Sequence, residues 1–153
     1  MARVLIVKPT GGLFTVLYTV EKVVGIGGFN SRDDVFLVQF FLRVAMEEDK
    51  ARGGDRFLPP GERPISIDGS FGRQTASYIK FFQEEGNRRA GLSPVSSQRI
   101  DPFTGSFRGL KTGSLLTIAA LNFDYMERQG KGFHSNISLD PRFPNDLKKS
   151  LFV

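Results

Sequence analysis

Few residue types in this chain are suited to chemistry. It has one histidine, His134, and no cysteine, which excludes disulfides, thiolate metal sites and thiol nucleophiles. As a general base or metal ligand His134 would need partners that the sequence does not offer nearby, so an exposed or packing role is expected. A zinc site built on it would draw at least two more ligands from unmarked positions. The acidic pairs Glu47-Glu48 and Glu84-Glu85 fall on helical segments, where adjacent side chains are splayed by about 100°. Neither pair forms a general acid/base couple by itself, and both read as solvated faces near helix ends. Two glycine-rich runs imitate nucleotide motifs. "GIGGFN" has Asn30 where a dinucleotide fingerprint needs glycine, and "GSFRGLKT" has its second glycine one place early, with Leu110 in its position. Both are turns by this reading. No catalytic residue, metal or cofactor is expected, and the chain does not read as an enzyme.

The elements around these residues follow from pattern. Residues 3–8 and 13–24 are rich in β-branched and aromatic side chains and predict two strands, closing as a hairpin near Thr10–Gly12. Residues 31–48 predict a first helix, with Ser31 as N-cap, Asp33 and Asp34 in its first turn, and apolar residues almost all round. Such a helix is buried on most sides. A loop rich in Gly and Pro leads to a second helix over 72–86, with Thr75, Tyr78, Ile79 and Phe82 facing inward. Residues 87–111 read as a basic loop carrying Arg88, Arg89, Arg99, Arg108 and Lys111, and a third helix spans 112–129 with Leu115, Ile118, Ala119, Tyr125 and Met126 on one side. From Gly130 on no period is evident, and an extended tail over 131–153 is expected. Its Phe133, Phe143, Leu151 and Phe152 predict that it docks, on its own core or on a neighbouring subunit.

The stretch "ISIDGSFGRQTASYIKFFQEEG" is the most patterned. Asp68-Gly69 is turn chemistry, with Gly69 at positive φ and the Asp68 carboxylate bonding to backbone N–H groups. Phe71 is expected beneath the turn as a plug, Gly72 at a close backbone approach, and the Thr75 hydroxyl satisfying a donor in the first helical turn. Gln83 falls on nearly the same face as Thr75. A weaker copy follows in "RIDPFTGSFRGLKTGSLLTIAALN", which repeats the order apolar residue, Asp, turn, Gly, basic residue, Thr, apolar helix, with an insertion.

Asp68, Gly69, Phe71, Gly72, Thr75, Phe82 and Gln83 resemble, at matching spacing, the signature of the peptidoglycan-binding-like domain family. The upstream "VGIGGFNSRDDVFLVQFFLRV" is similar to that family's opening, a turn leading into a helix that carries Asp-Val and Val-Gln before a Leu. The resemblance covers about residues 24 to 125. It departs from the family pattern at Asp101-Pro102, in the lengthened loop after the first helix, and at both ends. It implies a three-helix peptidoglycan-binding-like core over 31–130; with the N-terminal β-hairpin extension over 1–30 and the extended C-terminal tail over 131–153 added to it, the fold expected is mainly α. It further implies a shallow groove beside the Asp-Gly turn, with Asp68, Ser70, Arg73, Gln74, Ser77 and Tyr78 as ligand contacts.

Composition limits the partners. The excess of 21 Lys and Arg over 16 Asp and Glu gives a formal charge of +5, which favours anionic partners without choosing among them. The function expected is a non-catalytic binding module for bacterial cell-wall peptidoglycan or an anionic wall polymer. The alternative is a structural or connector protein of a phage tail, contractile injection machine or other bacterial assembly, with protein partners. Nucleic acid is disfavoured, because neither a Lys/Arg-rich helix nor an aromatic stacking strand accompanies the basic loop. No run of residues reads as a signal segment or a membrane span, so the expected location is cytoplasmic on synthesis, with non-classical delivery to the envelope.

Overall fold

A computed structural model describes residues 2–6, 16–88, 97–105 and 116–151. In chain order the elements are β1 (Arg3–Ile6), β2 (Val16–Thr19), β3 (Val24–Gly25), α1 (Arg32–Ala51), α2 (Arg73–Arg88), β4 (Arg99–Ile100), α3 (Thr117–Ser135), a 3-10 turn (Ile137–Leu139) and α4 (Asn145–Leu151). The fold is mainly helical, with three long helices and an antiparallel β1–β2 hairpin registered Arg3 to Thr19 and Ile6 to Val16. The expected closure near Thr10–Gly12 lies outside the described residues, as do the start of the third helix with Leu115, the residues Arg89, Arg108 and Lys111, and Phe152.

Helix α1 is the axis of the core, packing against α2, α3 and α4. Val35, Phe36, Leu37, Val38, Phe40, Phe41 and Leu42 are all buried, as its all-round apolar pattern requires. Ser31 sits at the N-cap but makes no side-chain cap bond. Its hydroxyl instead donates to Asp34 Oδ2 at 2.6 Å. The fully buried Asp34 carboxylate also accepts the Glu21 and Lys22 backbone N–H groups, each at 2.9 Å, which binds the loop after β2 to the first helical turn. The four inward residues expected on α2, Thr75, Tyr78, Ile79 and Phe82, are buried.

The segment 87–111 is not a single loop: α2 runs on to Arg88, and Arg99–Ile100 pair antiparallel with Val24–Gly25. This bridge brings the entry to α1 beside the approach to α3.

Helix α3 breaks at Gly130, whose φ of 89° and ψ of 162° lie in a region open essentially to glycine alone. In an unbroken helix, residues twelve apart lie about 18 Å apart along the axis. Here His134 Nε2 stands 3.0 Å from Asn122 Oδ1, so the chain folds back at the glycine.

The C-terminal segment docks, as its apolar residues predict, but it is not extended: α3 runs on to Ser135, and the 3-10 turn and α4 follow. Ile137, Phe143 and Leu147 are buried, and the Phe143 ring meets Phe40 edge-on at 5.1 Å. Arg142 fixes the segment. It grips the buried Asp140 with two bonds of 2.9 Å and reaches Glu47 and Glu48 on α1 at 3.3 and 3.2 Å. Glu47 and Glu48 are therefore half-buried partners and not free solvated charges, and Glu85 is buried as well.

Candidate functional site

The Asp68–Gly69 turn is assembled around a glutamine from another helix. Gln39 of α1 is buried, and its amide meets five groups. Oε1 accepts the Asp68 and Gly69 N–H groups at 3.0 and 2.9 Å, while Nε2 donates to Asp68 Oδ1, the Ser70 carbonyl and Thr75 Oγ1 at 3.0, 3.1 and 3.0 Å. Asp68 Oδ1 also accepts the Ser70 N–H at 2.9 Å, as turn chemistry predicts. Thr75 thus serves as an acceptor for Gln39 and does not cap its own helix. Gly69 has the expected positive φ, 75°, and a Cβ there would stand 2.8 Å from Arg32 Cγ and Phe36 Cε2. Gly72 makes no close approach, and Phe71 is only half-buried against the core.

The same device recurs one helix later. Gln83 of α2 accepts the Gln98 N–H at 2.8 Å and donates to the Arg99 carbonyl at 3.0 Å and to Thr117 Oγ1 at 2.9 Å. The weak repeat in the sequence therefore has a physical counterpart: each buried Gln binds the next turn and the first-turn Thr of the next helix.

This architecture sorts the six predicted contacts into two groups. Tyr78 is buried, and its hydroxyl donates to the Arg63 carbonyl at 2.6 Å. Gln74 accepts the Ser66 N–H at 3.1 Å and donates to the Arg63 and Pro64 carbonyls. Both hold the loop before α2, Tyr78 from the interior and Gln74 from a half-buried position. Asp68, Ser70 and Arg73 are exposed and Ser77 is half-buried. Arg73 and Ser77, four apart on α2, share one face. Among the described residues, no hydrogen bond or ion pair engages Asp68 Oδ2, the Ser70 and Ser77 hydroxyls or the Arg73 guanidinium.

A second polar centre, invisible in the sequence, lies inside. The buried Asn122 of α3 accepts the Tyr18 N–H at 3.0 Å and donates to the Tyr18 and Ile118 carbonyls, each at 2.8 Å. It thereby occupies the edge of β2 that β1 leaves open. Because Asn122 Oδ1 only accepts, His134 Nε2 carries the proton. Burial lowers the His134 pKa to about 4, so the ring is a neutral packing group set edge-on to Tyr18 at 5.3 Å.

A third cluster joins α1 to α3. Arg128 bonds both oxygens of Asp124 at 3.1 and 3.0 Å, lies 3.7 Å from Asp49 and stacks 5.2 Å above Phe57. Asp49 also accepts the Arg56 N–H and guanidinium. Burial raises the Asp124 pKa despite Arg128. At Asp49 burial acts in the same upward direction, but the bonds and charges of Arg56 and Arg128 outweigh it and the pKa falls. The buried Asp49 and half-buried Asp124 are thus both engaged by Arg128 rather than set as an acid/base pair. Among the described residues, no three His, Cys, Asp or Glu side chains gather to hold a metal ion.

No protein-family model, curated protein or solved structure matches the chain.

Proposed function

We propose that this chain is a non-catalytic binding module for bacterial cell-wall peptidoglycan, engaged through the ledge of Asp68, Ser70, Arg73 and Ser77. The observation that carries the reading is the way Gln39 organises the turn. It draws the internal bonding onto Asp68 Oδ1 and leaves Oδ2 of this exposed residue without a hydrogen bond among the described residues. Such a rigid, unsatisfied set of donors and acceptors suits the hydroxyls, amides and carboxylates of a wall glycopeptide. With Tyr78 buried, recognition by these four residues is by hydrogen bonding and charge. The test is co-sedimentation with insoluble peptidoglycan at moderate salt, comparing wild type with Ser70→Ala/Arg73→Ala. Retention lost in the variant supports the ledge. Retention equal to that of an unrelated basic protein, and abolished by salt, refutes it.

A second reading, a connector in a phage tail, injection machine or similar assembly, is favoured by one observation. Phe133 and Leu139, near the foot of α3, are 45% and 69% exposed. The other apolar surfaces that would serve it, the Phe face of α1 and Phe143, are consumed inside the fold. Wild type that fails to sediment with peptidoglycan but forms a stoichiometric complex with a tail or sheath protein supports this reading.

A further inference from the structure

The turns bound by Gln39 and Gln83 correspond residue by residue. Gln39 Oε1 accepts the Gly69 N–H, and Gln83 Oε1 accepts the Gln98 N–H. Each Nε2 donates to the next carbonyl, of Ser70 or Arg99, and to Thr75 or Thr117 on the following helix. The residue before each turn matches as well. Asp68 Oδ1 accepts the Ser70 N–H at 2.9 Å and Gln39 Nε2 at 3.0 Å, while Ser97 Oγ accepts the Arg99 N–H at 3.2 Å and Gln83 Nε2 at 3.5 Å. Ser97, Gln98 and Arg99 thus stand where Asp68, Gly69 and Ser70 stand in the first turn.

The two turns part at one informative place. Gly69 and Gln98 share a left-handed backbone, with φ of 75° and 59°. Glycine is required at 69, where a Cβ would stand 2.8 Å from Phe36 Cε2. Gln98 instead carries a side chain in a conformation that residues other than Gly, Asn, Asp and His seldom adopt, and such strain gathers at functional positions. The backbone beneath it is held twice over. Besides the bond to Gln83, the Gln98 carbonyl accepts the Ile26 N–H at 3.3 Å, and a Cβ on Gly25 would stand 2.3 Å from that same oxygen.

What this rigid turn displays is polar and unused. Gln98 is half-buried, Arg99 and Asp101 are exposed, and the Ile100 between the two charges is fully buried. Alternation along the chain therefore sets Arg99 and Asp101 on one side, away from the core. Among the described residues, no hydrogen bond or ion pair engages the Gln98 amide, the Arg99 guanidinium or the Asp101 carboxylate. With one charge of each sign and an amide, the set selects for a ligand that offers both donors and acceptors rather than for a simple anion. The Asp68, Ser70 and Arg73 ledge has the same mixture. Thr75 and Gln83, which join the two turns to α2, are about 12 Å apart along its axis.

We infer that Gln98, Arg99 and Asp101 form a second contact site for the ligand class of the ledge, so that one wall glycopeptide polymer engages both turns through its repeating hydroxyls, amides and carboxylates. The inference rests on the wall-binding reading, and the closing experiment separates the two.

Insoluble peptidoglycan at moderate salt is the probe. Gln98→Gly/Arg99→Ala should lower retention by about tenfold, the loss expected for one hydrogen-bonded charge. It should melt at or above the wild-type temperature, because glycine accepts the left-handed backbone. A variant that is at least as stable yet binds more weakly is a result that a purely structural Gln98 would not give. Lys148→Ala removes an exposed charge on α4 and should leave retention unchanged. Wild-type retention in Gln98→Gly/Arg99→Ala overturns the inference, and so does an equal loss in Lys148→Ala, which assigns the effect to charge alone. Loss in Ser70→Ala/Arg73→Ala without loss in Gln98→Gly/Arg99→Ala rejects the second site and keeps the ledge. Wild-type protein that stays in solution rejects the wall-binding reading and this inference with it.

Discussion

Gln39 and Thr75 stand on different helices, 36 residues apart in the chain, and meet at 3.0 Å through Gln39 Nε2 and Thr75 Oγ1. The amide that makes this contact also carries the Asp68–Gly69 turn on its oxygen. One side chain therefore sets the distance between α1, the turn and the start of α2. Gln83 and Thr117 repeat the contact at 2.9 Å between α2 and α3.

Removing the first of these amides should be costly. Gln39→Ala strands two backbone N–H groups and the Thr75 hydroxyl in a buried setting, and each buried unsatisfied group costs about 1–3 kcal/mol. We expect a loss of about 2–5 kcal/mol in urea unfolding, and the same direction for Gln83→Ala. The two amides share no partner, so the double variant should be additive within about 0.5 kcal/mol. Strong non-additivity would show that the two staples are coupled through α2.

Phe40 and Phe71 should differ in cost. Phe40 is fully buried and Phe71 only half-buried, so Phe40→Ala should lose about 3–5 kcal/mol. Phe71→Ala should lose about half as much. Thermal melts that rank Phe71 above Phe40 would restore Phe71 as the main plug.

The His134 ring gives the protein an acid-sensitive window. Its folded pKa of about 4 lies below the ordinary value of 6.5, so the unfolded chain binds the proton first. Stability should be unaffected by this group above about pH 6.5, then fall as pH drops through that value, levelling near pH 4, with a total of roughly 3 kcal/mol at most. Asp140 acts lower. Burial raises its pKa, but Arg142 outweighs burial and holds it below 3.8, so its contribution is lost only as pH falls further. His134→Gln should flatten the slope between pH 4 and 6.5. A slope unchanged in that variant would assign the window to other groups.

Gly130→Ala tests the reversal in α3. Nothing stands within 4 Å of a Cβ placed there, so the cost is backbone strain alone, about 1–3 kcal/mol. A stability equal to wild type would mean that the His134–Asn122 contact does not depend on the break.

Arg142→Ala should be more damaging than its half-exposed position suggests, because it leaves the Asp140 carboxylate buried with its charge uncompensated. Breaking a buried pair from one side costs about 3–5 kcal/mol. Because the Tyr125 hydroxyl donates to Asp140 Oδ2 at 3.0 Å, a change in tyrosine fluorescence at lower urea than in wild type would report the release of the C-terminal segment.

Much of this was legible in the sequence, and the reasons differ by element. The three long helices announce themselves because apolar residues such as Val35, Val38 and Leu42 recur at helical spacing, a local property. The Asp68–Gly69 turn is legible because its chemistry is also local. The role of Gln39 is not: the Val-Gln pair belongs to the resemblance, but the partners of its amide lie some 30 residues away. Asn122 and His134 meet only because one glycine breaks a helix, and a Gly within a helical pattern signals no direction. The seven-residue α4 is too short for a period to show. That Tyr78 and Gln74 hold the loop before α2 is not legible either, because the carbonyls they bind lie 10 to 15 residues earlier in the chain. Ile26 and Phe29, apolar residues beside glycines, read in sequence as buried turn residues, but both are exposed.

Arg142 binds Glu47 from 95 positions further along the chain, and Phe143 beside it closes over Phe40. On the ribosome, α1 is completed long before the residues that seal it are made. Nascent chains fold from their N-terminal side, so the Phe40 face of α1 stands uncovered until Phe143 has been made. Chaperone dependence during synthesis, rather than low stability once released, is the expected vulnerability of this fold. It would show as aggregation of nascent chains arrested before residue 140 and not of the finished protein.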